Sequence, residues 1–114
     1  LLQKGLKEDA AAIPAGTALK LATLNGPASL FLNDNIGTLR KGAKADLIGV
    51  SLKKPHLSPL YNLPAHLVYS AAASDVELVM VNGVILMEKR VLLTIDEEKV
   101  LYEAQKRADK LVNA

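Results

Sequence analysis

Apolar positions recur along this chain with two different periods, and the change of period divides it. In residues 1–12, Leu1, Leu2 and Leu6 fall on one face among good helix formers, which predicts a short helix. Pro14 suits the first position of a second helix, where a missing N–H costs nothing. Leu19, Ala22 and Leu24 give that helix its apolar face, Gly26 is expected to stop it, and Pro27 to open a further turn through Ala28, Leu30 and Phe31. The polar run 33–35 reads as a turn. From Ile36 the pattern becomes strand-like. Gly37 and Gly42 bracket a tight turn or short strand over 38–41, and the β-branched, apolar run 45–52 reads as a buried strand. Pro55, Pro59 and Pro64 make 53–64 an extended surface loop with little regular pairing. Residues 65–71 fit either a short strand or a helical turn.

The clearest pattern lies between Asp75 and Leu93. Val76, Leu78, Val79, Met80 and Val81 lead into Asn82-Gly83, and Val84, Ile85, Leu86 and Met87 lead out. Asn-Gly between two β-prone runs predicts a hairpin, since both central residues of a type I′ turn need positive φ. Glu88-Lys89-Arg90 forms a second, charged turn before a short return strand over 91–93. Thr94 and Glu97 are placed for a capping box, with Asp96 as the rival N-cap. A last helix then runs to about Val112. Leu101, Ala104, Ala108 and Leu111 form its apolar stripe, and Glu97, Lys99, Glu103, Lys106, Arg107 and Lys110 face water. Helices, then strands, then one helix imply an α+β fold rather than alternating βαβ units.

Composition narrows the classes of function. The 114 residues carry 14 Lys+Arg against 12 Asp+Glu, a net charge of +2, without the concentrated basic face of a nucleic-acid binder. Helix, Gly, Pro, helix resembles a helix-turn-helix, but Lys20 is the only base between Ala10 and Asn35, so the phosphate contacts are missing. Aromatics are 4% with no Trp, which argues against stacking platforms. The absence of cysteine excludes disulfides, thiolate zinc sites and cysteine nucleophiles and fits a reducing, cytoplasmic setting. No apolar run approaches the roughly 18 residues of a membrane span. Lys4, Lys7, Glu8 and Asp9 interrupt the first residues in a way no signal peptide does. The chain opens at Leu1 and its methionines are Met80 and Met87, so further sequence upstream is expected.

The residues that carry chemistry elsewhere are scattered here. His56 and His66 are ten apart across the Pro-rich loop, with no further ligand at helical or strand spacing, whereas zinc needs three or four converging donors. His66 reads as a core histidine with backbone partners, and His56 as a loop residue free to point at a neighbouring domain. Asp34, Asp46 and Asp75 lie at element boundaries without paired groups for acid–base work. Asp46 is expected to accept N–H groups of the 42–45 turn, and Asp75 to cap the start of the hairpin. Ser70 and Ser74 lack a nucleophile elbow, and Gly37, Gly42 and Gly49 do not form a phosphate loop. The charges of the last helix are of both signs, unlike a basic membrane helix. No catalytic, metal or substrate-binding residue is therefore assigned. Gly37, Gly42, Asp46, Asn82 and Gly83 are assigned as structural turn residues.

Three segments together resemble one family. The run Gly37-Thr38-Leu39-Arg40-Lys41-Gly42-Ala43-Lys44-Ala45-Asp46-Leu47-Ile48 is similar to the G-[ST]-L-x-x-G-x-x-A-D-[LI]-[IV] segment of the amidohydrolase superfamily. Val81-Asn82-Gly83 resembles the V-N-G hairpin that follows it there. Residues 19–32 resemble the helix that precedes it, with Pro27 in place of an alanine and Phe31 in place of a glycine. Pro55-His56-Leu57-Ser58-Pro59-Leu60, His66-Leu67-Val68-Tyr69-Ser70-Ala71 and Ser74-Asp75-Val76 are similar to the deaminase and chlorohydrolase branch, and most of all to methylthioadenosine/S-adenosylhomocysteine deaminases. The tail 93–98 fits the same group.

The resemblance implies that residues 1–34 are the last helices of a parent (β/α)8 barrel, 35–94 the C-terminal half of a composite β-sandwich, and 95–114 a closing helix. It implies a parent that uses a divalent metal, most naturally zinc, to activate water for deamination of a purine or similar heterocycle. The metal and acid–base motifs of such enzymes lie upstream of Leu1, and no position here matches them, so the chain itself is expected to hold no cofactor and show no turnover. The missing barrel and the N-terminal sandwich strands are its implied partners, and without them self-association is expected. The alternative is a separate, non-catalytic α+β interaction or oligomerisation module.

Overall fold

The computed structural model describes residues 2–31 and 35–112. Leu1, and the expected turn residues Asn33 and Asp34, lie outside the described residues, as does Leu32.

The helical part is shorter at its start and more continuous afterwards than the pattern suggested. Helix α1 covers Leu2–Leu6 only. It ends because Glu8 turns to φ 50° and the Asp9 carboxylate accepts the Ala11 N–H at 2.8 Å, a local turn that competes with helix. Pro14 (φ −59°, ψ 151°) is the N-cap of α2, Ala15–Lys20, rather than a residue of its first turn. A π-helical segment, Leu21–Asn25, and α3, Gly26–Ser29, follow without a break. Gly26 does not stop the run: it is right-handed helical at φ −56°, ψ −56°, and Pro27 is tolerated in the first turn of α3. The chain leaves the helix at Phe31, φ 55°.

A four-stranded antiparallel sheet follows, in the order β1-β2-β3-β4. Its strands are β1, Leu47–Val50; β2, Val76–Val81; β3, Val84–Glu88; and β4, Val91–Leu92. Asn82 (φ 50°) and Gly83 (φ 81°) join β2 to β3, with Val81 opposite Val84. Lys89 and Arg90, both at positive φ, join β3 to β4. Ile48 pairs with Val79 and Leu47 with Met80, and the register shifts after Gly49.

The β1–β2 connection corrects the expectation of a wholly surface loop. Pro55–Leu57 forms a 3-10 turn whose Leu57 is completely buried. Residues 65–71, open between strand and helix, are mostly helical: α4 covers Leu63–Tyr69, begins inside the expected loop, and is capped by the Asn62 side chain accepting the Ala65 N–H. A second 3-10 turn, Ala73–Asp75, leads into β2. The last helix is α5, Glu97–Val112, and Asp96 caps it by accepting the Lys99 N–H at 3.0 Å.

Among the described residues the buried apolar core consists of Leu57 and Met87 alone. A compact monomer of this mass exposes about 6,100 Å² and has a radius of gyration of about 13 Å. This chain exposes 9145 Å² with a radius of gyration of 18.6 Å. Helix α5 contains no buried residue, and Leu101, Leu111 and Val112 on it are exposed. The fold therefore leaves about 3,000 Å² more surface open than its mass requires.

Candidate functional site

The most elaborate polar cluster lies where the Pro-rich connection meets the start of β2. Asp75 is 2% exposed. Its Oδ2 accepts the Ala72 N–H at 2.8 Å and contacts His56 Nε2 at 2.8 Å. These bonds, with the His56 and Lys54 charges, hold the Asp75 carboxyl below the ordinary value of 3.8. The Ala72 N–H contributes most and burial opposes the shift. Lys54 pairs with Glu77 at 3.6 Å, and Arg90 Nη1 reaches the carbonyls of Ala73 and Val76. Ser51 N–H donates to the Asp75 carbonyl at 2.8 Å, extending the β1–β2 ladder by one bond. His56 thus points into this cluster, and Asp75 fastens a segment 19 residues away as well as capping its own turn. Sequence spacing held no signal for that pair, because the 3-10 turn and α4 fold the intervening chain back.

The assigned turn residues divide into two places. Asp46 Oδ1 accepts the Asn82 N–H at 2.5 Å, and the Ala45 carbonyl accepts the Gly83 N–H at 3.0 Å. Asp46 therefore pins the β2–β3 turn, not the 42–45 turn it was expected to serve. The cause is the antiparallel β1–β2 pairing, which brings the Asn82-Gly83 turn beside the start of β1. The 42–45 turn closes through backbone bonds instead, Ala43 N–H to Arg40 and Lys44 N–H to Asn35. Gly37 (φ 79°) sits against the π-helical segment, where a Cβ would lie 2.4 Å from the Thr23 carbonyl oxygen. Gly42 (φ 87°) has nothing within 4 Å of that position. Between these helices and the sheet runs an open, largely apolar groove of about 630 Å³, with Leu19, Ala22, Ile48, Val79 and Met80 in its walls.

The second histidine is separate. His66 is half-buried on α4, and its Nδ1 lies 2.9 Å from the Asn62 carbonyl. No group of three or more His, Asp or Glu residues is placed to hold a metal among the described residues. A zinc ion does not fit these donors: one histidine is engaged by a carboxylate that is itself buried, the other by a backbone carbonyl.

Comparison with known proteins decides the lineage. The profile of the amidohydrolase family matches residues 1–86. The chain belongs to that family. An amidohydrolase relative, the 5-methylthioadenosine/S-adenosylhomocysteine deaminase of Dictyoglomus thermophilum, is 53% identical over 97% of this chain. The match covers 26% of that relative, so the chain spans about a quarter of its length. An adenosine deaminase from Xanthomonas campestris, solved with bound zinc, superposes with a TM-score of 0.90 at 31% identity, over 97% of this chain and 25% of that one. Atrazine chlorohydrolase from Arthrobacter aurescens, complexed with zinc, shares the fold at a TM-score of 0.75 and 22% identity, over 83% of this chain and 21% of its own. The amidohydrolase fold here is α+β, with neighbours of deaminase and chlorohydrolase type.

Proposed function

We propose that this chain is the C-terminal quarter of a metal-dependent hydrolytic deaminase acting on an adenosine-type nucleoside, and that it supplies packing rather than chemistry. The observation that carries the reading is the 53% identity to a methylthioadenosine/S-adenosylhomocysteine deaminase along nearly the whole chain. In such a reaction the oxygen of water replaces the amino group of the purine and ammonia leaves. The divalent metal, zinc, and the acid–base groups belong to the remaining three-quarters of the polypeptide. Residues 1–34 close the barrel there, 35–94 complete the sandwich, and 95–114 form a closing helix. The remainder of the same polypeptide is the partner that covers the open groove and the exposed α5 stripe. Covering the excess of about 3,000 Å² on this side would bury about 6,000 Å² counted over both sides, the large end of obligate interfaces.

The test is immunoprecipitation from the source cells with an antibody to this chain, followed by sizing and an ammonia-release assay on 5′-methylthioadenosine and S-adenosylhomocysteine. A band far above 12.2 kDa that releases ammonia supports the reading, since a barrel alone needs roughly 250 residues. A single inactive band near 12 kDa overturns it and favours a separate interaction module.

A further inference from the structure

We propose that His56 and Asp75 form an acid-sensitive latch that holds the Pro-rich segment 53–62 on the sheet, with Leu57 as the bolt. The geometry assigns each part. The segment is fastened from one side by the imidazole–carboxylate contact at 2.8 Å, and from within by Leu57, which is fully buried one residue beyond His56. The rest of the segment is held more loosely: Leu60 and Tyr61 are exposed, Lys54 adds a part-exposed ion pair to Glu77, and the backbone bonds are the two of its own 3-10 turn, Leu57 N–H to Lys54 and Ser58 N–H to Pro55, and the His66 N–H to Asn62 bond that opens α4. The carboxylate is the shared anchor. Its oxygen Oδ2 serves both the Ala72 N–H, which shapes the entry to β2, and the imidazole, which brings in the segment.

Of the charged groups around the anchor, His56 and Lys54 favour its ionised, latched state, and Arg90 binds only backbone carbonyls beside it. Lys54 lies on the segment itself, and Arg90, from the β3–β4 turn, reaches the carbonyls of Ala73 and Val76 on either side of Asp75. Glu77 on β2 takes the Lys54 ammonium at 3.6 Å and tempers its pull. His56 is half-exposed, so its ring meets solvent while Asp75 does not. Protonating Asp75 removes the charge from both hydrogen bonds at once. The imidazole then has no anionic acceptor, the segment lifts, and Leu57 leaves the core with it. The consequence is that this region opens before the four-stranded sheet does when acid is added.

The experiment is amide hydrogen exchange across pH 2.5–7, corrected for its intrinsic pH dependence, read by NMR on the 114-residue chain with side-chain 15N spectra of the histidines, and by mass spectrometry at peptides spanning 53–62 and 72–75 in the full-length polypeptide from the source cells. The latch predicts that the Leu57 and Ser58 amides lose protection together with the Ala72 amide, in one transition below the ordinary carboxylate range, while β2 and β3 amides stay protected. At neutral pH, His56→Ala speeds exchange at Leu57 about tenfold to a hundredfold, the effect of losing a charge-assisted bond, and leaves Ala72 protected. His56→Gln, which keeps a donor, restores part of the protection. The 15N spectra should show a proton on His56 Nε2, the atom 2.8 Å from the Asp75 carboxylate oxygen. Asp75→Asn abolishes the acid transition at Leu57; where that variant fails to fold, His56→Ala carries the test alone. Unchanged Leu57 exchange in His56→Ala, or a Leu57 transition that coincides with loss of the whole sheet, overturns the latch.

Discussion

Replacing Gly37 by alanine separates two penalties that usually arrive together. A left-handed backbone costs an alanine about 1–2 kcal/mol. Gly42→Ala suffers that cost alone, because φ is 87° and the space around its Cβ is empty. Gly37→Ala suffers it at φ 79° and also drives a methyl to 2.4 Å from the Thr23 carbonyl oxygen and 3.2 Å from Pro27 Cγ. The first neighbour is backbone and the second a ring, so neither can swing aside. Relieving such a contact by moving the π-helical segment costs a further 1–3 kcal/mol or so. Gly37→Ala should thus lose about 2–5 kcal/mol and Gly42→Ala about 1–2. With a urea slope near 1.5 kcal/mol per molar, the two midpoints differ by about 1 M. The assay is urea unfolding followed by far-ultraviolet circular dichroism at one fixed chain concentration, so that association contributes equally to each variant. Equal midpoints for the two variants would show that the Gly37–Thr23 approach is not a structural constraint, and the joint between helices and sheet would need another cause.

Leu57→Ala should destabilise the chain by about 2–5 kcal/mol, because the side chain is fully buried; a loss under 1 kcal/mol in the same melts would mean that its pocket collapses or is not a core. Asp46→Ala leaves the Asn82 N–H without its acceptor and should cost about 1 kcal/mol, with line broadening in NMR confined to Asn82 and Gly83. The depressed Asp75 carboxyl stabilises the fold fully above its ordinary value of 3.8, and that contribution is lost as pH falls through the lower folded value. A plot of unfolding free energy against pH should therefore steepen below pH 3.8 in the wild type and be flatter there in Asp75→Asn; identical slopes would contradict the assignment. In sedimentation at micromolar concentration the chain alone should be associated, and a monodisperse monomer with low binding of a hydrophobic dye would count against the exposed groove and α5 stripe.

What was legible in the sequence was what short-range chemistry decides. The α+β order follows from the change of period at Ile36, whereas the cap of the last helix is Asp96, the rival, and not the Thr94–Glu97 box, because the helix starts at Glu97 and the Lys99 N–H reaches the Asp96 carboxylate. Gly26 misled because a glycine stops a helix only when the chain there needs a left-handed residue. Here the demand falls at Phe31, and Gly26 continues the helix. The Pro-rich run misled in a similar way. Prolines report what the backbone cannot do, and say nothing about whether Leu57 between them finds a core. His56–Asp75 and Asp46–Asn82 were invisible for a different reason. Each joins residues whose proximity is created by the β1–β2 pairing, 19 and 36 positions apart, and neither distance matches a helical or strand period.

The same distinction bears on what the chain's polar side chains do. The side chains that do interact at short range, Asp46, Asp75 and His56, spend their hydrogen bonds on backbone N–H groups and on one another. A catalytic carboxylate or histidine must instead keep an atom available to substrate, metal or water. The apolar surface shows the opposite imbalance: among the described residues Ile48 in the groove wall and Leu101 and Leu111 on α5 stay exposed, with Val79 and Met80 half-buried beside Ile48. Polar groups satisfied within the chain, beside apolar groups that are not, fit the proposal that this chain packs against the rest of a larger polypeptide. The close approach of Gly37 to Thr23 and Pro27 lies in the wall of that same groove, so the Gly37→Ala and Gly42→Ala comparison also tests how tightly the helices are held beside it.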